Sequence, residues 1–421
     1  MSKPSLLRRF FAGLWNIITR VRQALANILF LLVLVMLYFA FSSSAPAPLP
    51  ERAALLLNPV GVIVDQPAPM DPLTALSGTQ SPSDGEVRLR DVIEAIDYAA
   101  QDPAINSLVM ELDYLLYVGL AGTQEIAQAL ERFRAQGKPI LAVGDYYTQD
   151  QYLLASYADE IIMHTLGGVA LEGYSSYRNY YRELLDKLSV NLHIFRAGEH
   201  KSAMEPFERD DMSAAEKAET LRWLRPLWQQ YASSVESRRE LQPGAVDAYI
   251  NNMAERLVAA GGDQAMDALQ AGLVDKLLPR AAANDYLAEM VGARNEDGLY
   301  EAVPFDRYLF RNKPLELPGG DGPRVAVITA QGAMLPGDQP PGTIGGDSLA
   351  WLIRQTAEEE GVKAIVLRVT SPGGSMFASE IIREQLLYAQ RIGVPVVVSM
   401  GAIAASGGYY IAADADEIWA N

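Results

Sequence analysis

Residues 400–410 read M-G-A-I-A-A-S-G-G-Y-Y, and the fold that we predict is organised around this stretch. It follows an apolar run at 394–398 that is typical of a buried strand, and it leads into helical spacing at 409–413. Ser406 is therefore expected at a turn from a strand into a helix, where the partial positive charge of the helix N-terminus favours a developing anion. A serine followed by two glycines also suits an ordinary helix cap or turn, so this stretch alone does not define a site.

A second glycine-bearing turn lies upstream of Ser406. The strand predicted at 364–369 leads into residues 371–374, which read S-P-G-G. Such a turn can aim free backbone N–H groups at a nearby carbonyl, which is the requirement for an oxyanion hole. Each turn alone is a weak signal, but the two in this order and at this spacing indicate a nucleophile with its oxyanion donors.

The composition excludes several classes of function. The 421 residues have room for two or more domains, and 49% of them are hydrophobic, which is enough for a sizeable core. The absence of cysteine excludes a disulfide framework, a thiol nucleophile and a thiolate metal site. The net charge of −17 argues against a nucleic-acid partner. No metal or other cofactor is predicted, because the three histidines are too scattered for a metal cluster: His164, His193 and His200.

The N-terminus predicts a membrane anchor. Residues 1–23 carry five basic residues and no acidic one, and residues 24–41 carry no charge and are rich in Leu, Val, Ile and Phe. This bias predicts a cytoplasmic N-terminal segment, a single span at 24–41 in the lipid bilayer, a linker at 42–54 and the remainder outside the cytoplasm. A cleaved signal peptide, with residues 43–45 as its cleavage site, is the alternative.

The rest of the chain repeats one α/β unit. Strands alternate with helices from a first strand predicted at 60–64, which indicates a parallel sheet covered by helices. After a Pro- and Gly-rich linker at 313–323 the same order starts again, and the two runs align at an offset of 257 with a single-residue gap. We therefore predict a tandem duplication, with copy one at 55–312 and copy two at 324–421.

The two copies differ where chemistry is expected. The position equivalent to Ser406 holds Gln149 in copy one, and the S-P-G-G turn corresponds to residues 114–117, which contain no glycine. Copy one is therefore predicted to keep the scaffold and to lack a nucleophile.

A serine hydroxyl is a poor nucleophile until a neighbouring base takes its proton, and copy two contains no histidine. A lysine can act as the base when burial lowers the pKa of its ammonium group. Lys201 is the candidate, because it follows a strand-like run at 190–195 in a loop with glycine and small residues. His200 is an adjacent rival base, and a solvated loop lysine is the ordinary alternative.

Taken together, the anchor, the duplication, the two turns and the segment K-S-A-M-E-P-F at 201–207 resemble the long form of bacterial signal peptide peptidase A, also called protease IV, of peptidase family S49. The resemblance covers essentially the whole chain. It implies a crotonase-like (Clp protease-like) fold in both copies and a serine endopeptidase. By the family pattern Ser406 is the nucleophile, Lys201 is the general base, and the turn supplies the oxyanion N–H group, with Gly374 preferred over Gly373.

The same resemblance implies the biological setting. The substrates would be cleaved signal peptides and other small extracytoplasmic peptides, degraded at the periplasmic face of the inner membrane by a homo-oligomer, a tetramer by the family pattern. Lys201 and Ser406 lie in different copies, so we expect the site to be shared between copies and between subunits. Relative to the family, copy two is expected to be truncated after Asn421. The alternatives are a crotonase-like acyl-CoA enzyme and an inactive scaffold that binds peptides through a strand edge.

Overall fold

The computed structural model of the protein describes residues 6–42, 49–68, 85–198, 201–313 and 322–420. The chain forms two compact units, Met1–Leu49 and Pro50–Asn421. The first unit consists of helix α1 (Leu6–Ser42), in which Ile18–Met36 is long and apolar enough to cross a membrane, a property that signal sequences share. The anchor predicted at 24–41 overlaps this stretch.

The second unit begins with copy one, in which strands and helices first alternate and a mostly helical segment follows. The alternating part contains β1 (Ala53–Leu57), β2 (Gly61–Val64), β3 (Glu86–Arg88), α2 (Leu89–Gln101), β4 (Ile105–Glu111), β5 (Leu115–Tyr117), α3 (Leu120–Arg134), β6 (Ile140–Gly144), α4 (Gln149–Ala155) and β7 (Glu160–Met163). The helical part contains α5 (Arg182–Lys187), α6 (Glu205–Glu208), α7 (Ala214–Arg238), α8 (Ala245–Asn251), α9 (Met253–Ala259), α10 (Gln264–Gln270), β8 (Lys276–Leu277), α11 (Arg280–Val291), β9 (Ala302–Pro304) and α12 (Phe305–Asn312).

Copy two repeats the alternating part. Its elements are β10 (Arg324–Gln331), β11 (Met334–Leu335), β12 (Ile344–Gly345), α13 (Gly346–Glu358), β13 (Val362–Ser371), α14 (Met376–Arg391), β14 (Val396–Ala404), α15 (Gly407–Tyr410) and β15 (Glu417–Trp419). Residues 314–321 of the predicted linker lie outside the described residues.

The sheet order confirms the duplication. The main sheet of copy one has the order β8-β7-β6-β4-β1-β9, and that of copy two has the order β15-β14-β13-β10, with parallel pairing between neighbours in both. The strands β7-β6-β4-β1 therefore correspond to β15-β14-β13-β10. A second, small sheet also recurs, since β2 pairs with β3 and β5 in copy one, and β11 pairs with β12 and bridges to Gly374 in copy two. The expected duplicated, parallel α/β fold is confirmed.

Buried apolar strands hold each copy together. In copy one, Val109 and Leu141 pack against α11 through Leu287 and Val291. In copy two, the inward-facing residues of β13 and β14 form a core with α13 and α14, and this core includes Ile365, Leu367, Val369, Val396, Val398, Ile353 and Ile382. Along β13 buried residues alternate with partly exposed ones, so in copy two the helices cover one face of the main sheet.

Two local expectations differ from the structure. The sequence assigned residues 53 and 54 to a linker, whereas Ala53 and Ala54 are fully buried in β1, next to β4 at the centre of the main sheet. Alanine and leucine are not typical strand residues, so burial between neighbouring strands, rather than propensity, determines β1. The strand-like run at 190–195 is not a strand, because no described strand pairs with it and its residues are largely exposed.

Candidate active site

Ser406 occupies a strained turn between β14 and α15. Its backbone has φ 50° and ψ −116°, a conformation that residues other than glycine rarely adopt. The side chain is exposed, and its hydroxyl makes no hydrogen bond to any residue that the structure describes. The expected turn from a strand into a helix is therefore present, and it exposes the hydroxyl of Ser406 to solvent.

The S-P-G-G turn lies directly against Ser406. A Cβ atom placed on Gly373 would stand 2.7 Å from the Cβ of Ser406 and 2.5 Å from the amide nitrogen of Gly407, so only glycine fits there. Ser371 is fully buried; its hydroxyl donates to the carbonyl of Gly332 at 2.7 Å, and its carbonyl accepts from the N–H of Ala405 at 3.0 Å. The turn is thus fixed to the strand that leads into Ser406.

The hydrogen bonds distinguish the two glycines of this turn. The N–H of Gly373 donates to the hydroxyl of Ser371 at 3.1 Å, so it is already engaged. The N–H of Gly374 has no acceptor among the described residues, and neither has the N–H of Gly407, the first residue of α15. Gly407 was not singled out as a donor from the sequence, although its place directly after a serine at a helix start was the available signal.

A charged cluster ties α15 to the helix after the turn. Tyr410 donates its hydroxyl hydrogen to Glu380 at 2.7 Å, and Arg383 donates to both oxygens of the same carboxylate at 2.8 Å. Arg383 also pairs with Asp414. The hydrogen bonds from Arg383, followed by the one from Tyr410, lower the pKa of Glu380 to about 2. The carboxylate is therefore charged at neutral pH, and its contribution to stability is lost only as the pH falls below 4.5 towards 2.

The equivalent position in copy one serves a structural purpose. The side-chain oxygen of Gln149 accepts from the N–H groups of Glu172 and Gly173 at 3.0 and 2.8 Å, and its amide donates to the carbonyl of Gly173 at 3.3 Å. Its backbone carbonyl accepts from the hydroxyl of Tyr231 at 2.8 Å. These bonds use the polar groups of the glutamine side chain, so this position offers no free nucleophile.

Lys201 lies in an exposed loop ahead of α6, and its side chain makes no hydrogen bond or ion pair within the described part of the chain. No hydrogen bond joins its side chain to Ser406 among the residues that the structure describes. His200, the rival base, lies outside the described residues. The segment that carries Lys201, which we call the lysine arm (residues 174–198 and 201–209), also exposes large apolar side chains, and Tyr177 and Phe195 are 91% and 94% exposed.

The surroundings of Ser406 are mostly apolar. Ile403 and Tyr409 flank the serine in sequence and are 44% and 57% exposed. Met376 and Phe377 begin the helix α14, one residue after the S-P-G-G turn, and are also exposed. A serine with two free N–H groups beside an apolar surface suits attack on a carbonyl in an apolar chain.

Comparison with known families places these features in context. The model of "Peptidase family S49" matches residues 132–294 and 388–421. The first matched range contains Lys201, and the second contains Ser406.

Curated relatives match nearly the whole chain. The chain is 40% identical over 419 residues to Protease 4 of Salmonella typhi, covering 98% of the chain and 67% of that protein. It is 38% identical over 416 residues to Protease 4 of Haemophilus influenzae, covering 97% of the chain and 67% of that protein. It is also 26% identical over 326 residues to the chloroplastic serine protease SPPA of Arabidopsis thaliana, covering 76% of the chain and 46% of that protein.

Proposed function

The chain belongs to peptidase family S49, and from this premise we propose that it is a membrane-anchored serine endopeptidase with a Ser406/Lys201 dyad. Its proposed substrates are cleaved signal peptides at the outer face of the inner membrane. The observation that carries the proposal is the strained, exposed Ser406 packed against the S-P-G-G turn, in which the N–H group of Gly374 has no acceptor among the described residues. The names of the relatives, two called Protease 4 and one a serine protease, support the same reaction class.

The proposed reaction proceeds through an acyl-enzyme. The neutral amine of Lys201 takes the proton from the Ser406 hydroxyl as its oxygen attacks the peptide carbonyl. The N–H groups of Gly374 and Gly407 donate to the resulting oxyanion. The Lys201 ammonium then returns the proton to the leaving amine, and water, activated by the same lysine, releases the second product.

The apolar surroundings of Ser406 support signal peptides as the substrate class. The central region of a signal peptide is an apolar run of about 7–15 residues. Ile403 and Tyr409, which flank Ser406 in sequence, and Met376 and Phe377, which follow the S-P-G-G turn, expose apolar side chains. We propose that the site selects its peptide substrates by contact with their apolar side chains. Small enzyme residues such as Ala405 would leave room for the substrate next to the bond that is cleaved.

A serine-directed fluorophosphonate probe tests this function. We expect the full-length protein to be labelled at Ser406 and the Ser406→Ala variant to remain unlabelled, because Lys201 takes the proton of the hydroxyl and the N–H groups of Gly374 and Gly407 stabilise the negative charge that develops on the probe oxygen. Peptide mass spectrometry identifies the labelled residue. A folded protein that is not labelled would instead support the inactive peptide-binding scaffold.

The exposed lysine arm supports a dyad that spans subunits. A lysine that acts as a base requires burial, and Lys201 is exposed in the single chain. The uncovered side chains of Tyr177 and Phe195 on the same arm are suited to an interface that would bury it. We therefore propose a homo-oligomer, a tetramer by the family pattern, in which each chain presents Ser406 to the Lys201 of a neighbour through one repeated interface.

Subunit complementation checks the shared dyad. The full-length Lys201→Ala and Ser406→Ala proteins are each expected to be inactive, and mixed oligomers of the two are expected to recover part of the activity. Peptide hydrolysis is measured after co-assembly, with the separate homo-oligomers as controls. Verified mixed oligomers without activity would place both residues of the dyad in one chain.

The membrane location is the last part of the proposal. The span at 24–41 would remain as an anchor, with the N-terminus in the cytoplasm and the catalytic part in the periplasm, because basic residues precede the apolar segment. A reporter enzyme that is active only in the periplasm is expected to be active when it is fused after Pro50. A cytoplasmic reporter signal would contradict this topology.

A further inference from the structure

A cluster of polar side chains joins the two copies next to the S-P-G-G turn, which supplies the proposed oxyanion donor and which we also call the oxyanion turn. Copy one contributes Asp65, just after β2, and Glu125 of α3. Copy two contributes Arg368 and Thr370 of β13 and Ser399 of β14. We call these five residues the inter-copy cluster.

Arg368 and Asp65 are at the centre of the inter-copy cluster. The guanidinium of Arg368 donates to Asp65 at 3.1 Å, to Glu125 at 2.6 Å and to the hydroxyl of Ser399 at 3.0 Å. The second oxygen of Asp65 accepts from the hydroxyl of Thr370 at 2.5 Å. The side chains of Arg368 and Asp65 are only 15% and 13% exposed. Charge-assisted hydrogen bonds that are shielded in this way are stronger and less tolerant of substitution than surface ion pairs.

The inter-copy cluster lies on the two strands that carry the candidate site. Thr370 directly precedes Ser371, which fixes the S-P-G-G turn, and Ser399 lies on β14, which leads to Ser406. The packing is close, because a Cβ atom on Gly401 would stand 2.1 Å from the Thr370 hydroxyl and 3.1 Å from the Asp65 carboxylate. A shift of Asp65 would therefore move groups on both strands.

The corresponding positions of copy one show that this arrangement is specific to copy two. By the repeat, Arg368 and Thr370 correspond to Glu111 and Asp113. These two carboxylates have partners within copy one, since Glu111 accepts from Tyr300 at 2.7 Å and Asp113 accepts from the N–H of Asp145 at 3.2 Å. Where copy one has Glu111, copy two has Arg368, and only the arginine bonds to carboxylates of the other copy.

We propose that Asp65 and Glu125 are positioning residues, through which copy one holds the oxyanion turn and the nucleophile strand of copy two in register. This assigns a purpose to copy one beyond the supply of Lys201. The expected kinetic effect depends on the proposed peptidase function, whereas the expected structural effect does not.

Two pairs of full-length variants test the positioning. Asp65→Asn keeps the shape of the side chain and removes its charge, and Thr370→Val keeps the shape and removes the hydroxyl. Asp97→Asn is the matched control, because Asp97 makes a bidentate pair with Arg132 on the exposed surface of copy one. Thr370→Ser retains a hydroxyl and is the conservative partner of Thr370→Val.

The readouts are kcat and KM for peptide hydrolysis and amide hydrogen exchange of residues 369–376. For Asp65→Asn and Thr370→Val we expect kcat to fall on the order of 10- to 100-fold with KM within about twofold, because small displacements of reacting groups cost rates of this size. Exchange of 369–376 should rise in both variants. Asp97→Asn and Thr370→Ser should keep the wild-type kcat and exchange.

The two readouts separate the possible failures. Wild-type exchange of 369–376 in folded Asp65→Asn and Thr370→Val proteins would overturn the positioning role, whatever the activity. If exchange of 369–376 rises in the variants but the assembled wild-type protein itself hydrolyses no peptide, the positioning role is supported and the proposed peptidase function is contradicted. If Asp65→Asn does not fold, the comparison of Thr370→Val with Thr370→Ser still tests the positioning role. The two side chains differ little in size, and only serine keeps the hydroxyl that donates to Asp65.

Discussion

Replacement of Lys201 by alanine is expected to abolish peptide hydrolysis, whereas replacement of His200 by alanine is expected to leave most of it. Ser406 needs a base, copy two contains no histidine, and the segment at 201–207 has the family pattern. The rate constant kcat/KM for a signal peptide is the measurement, on full-length protein that has assembled.

Lys187→Ala is the matched control for Lys201→Ala. Lys187 is another exposed lysine of the same arm, and its ammonium group pairs with Glu183 on α5. Its replacement removes one positive charge from the lysine arm and should leave kcat/KM unchanged. Full activity of an assembled Lys201→Ala protein would refute the dyad, and loss of activity in His200→Ala alone would assign the base to histidine.

Replacement of Gly374 by valine is expected to lower kcat on the order of 10²-fold or more, the size seen when one oxyanion donor is lost. Among the described residues the N–H of Gly374 has no acceptor, while that of Gly373 donates to the hydroxyl of Ser371. A Cβ atom on Gly374 would stand 2.1 Å from the carbonyl oxygen of Met334, so the backbone must move and must turn the donor away from its position. Steady-state kinetics on the folded variant measures the loss.

Gly322→Val serves as the control for this change. Gly322 lies in the linker directly before copy two, and a Cβ atom added there would meet nothing within 4 Å. The same substitution should therefore leave kcat unchanged at this position. A Gly374→Val protein that melts like wild type and also turns over like wild type would place the oxyanion donors elsewhere.

The sequence predicts much of the fold because its signals are local. The apolar runs predicted β13 and β14 within a few residues, and the internal alignment predicted the duplication that the sheet order confirms. The first strand was missed because A-A-L-L-L has no strand propensity, and only its burial next to β4 makes it a strand. The sequence wrongly predicted a strand at 190–195, because a run with alternating apolar residues stays irregular when no strand pairs with it.

By itself, the sequence determined which residues are candidates. Ser406 and the S-P-G-G turn were found because glycines and small residues next to apolar strands are visible within short windows of the chain. Only the tertiary structure shows that the N–H of Gly373 is engaged, because its acceptor, the hydroxyl of Ser371, is a side chain folded back over the turn. The tertiary structure also identifies Asp65 as a partner of Arg368. The two residues are 303 positions apart, and no local sequence pattern links two charges at that distance. Hydrogen bonds of this kind depend on how the two copies pack, and packing is a property of the whole chain rather than of any segment of it.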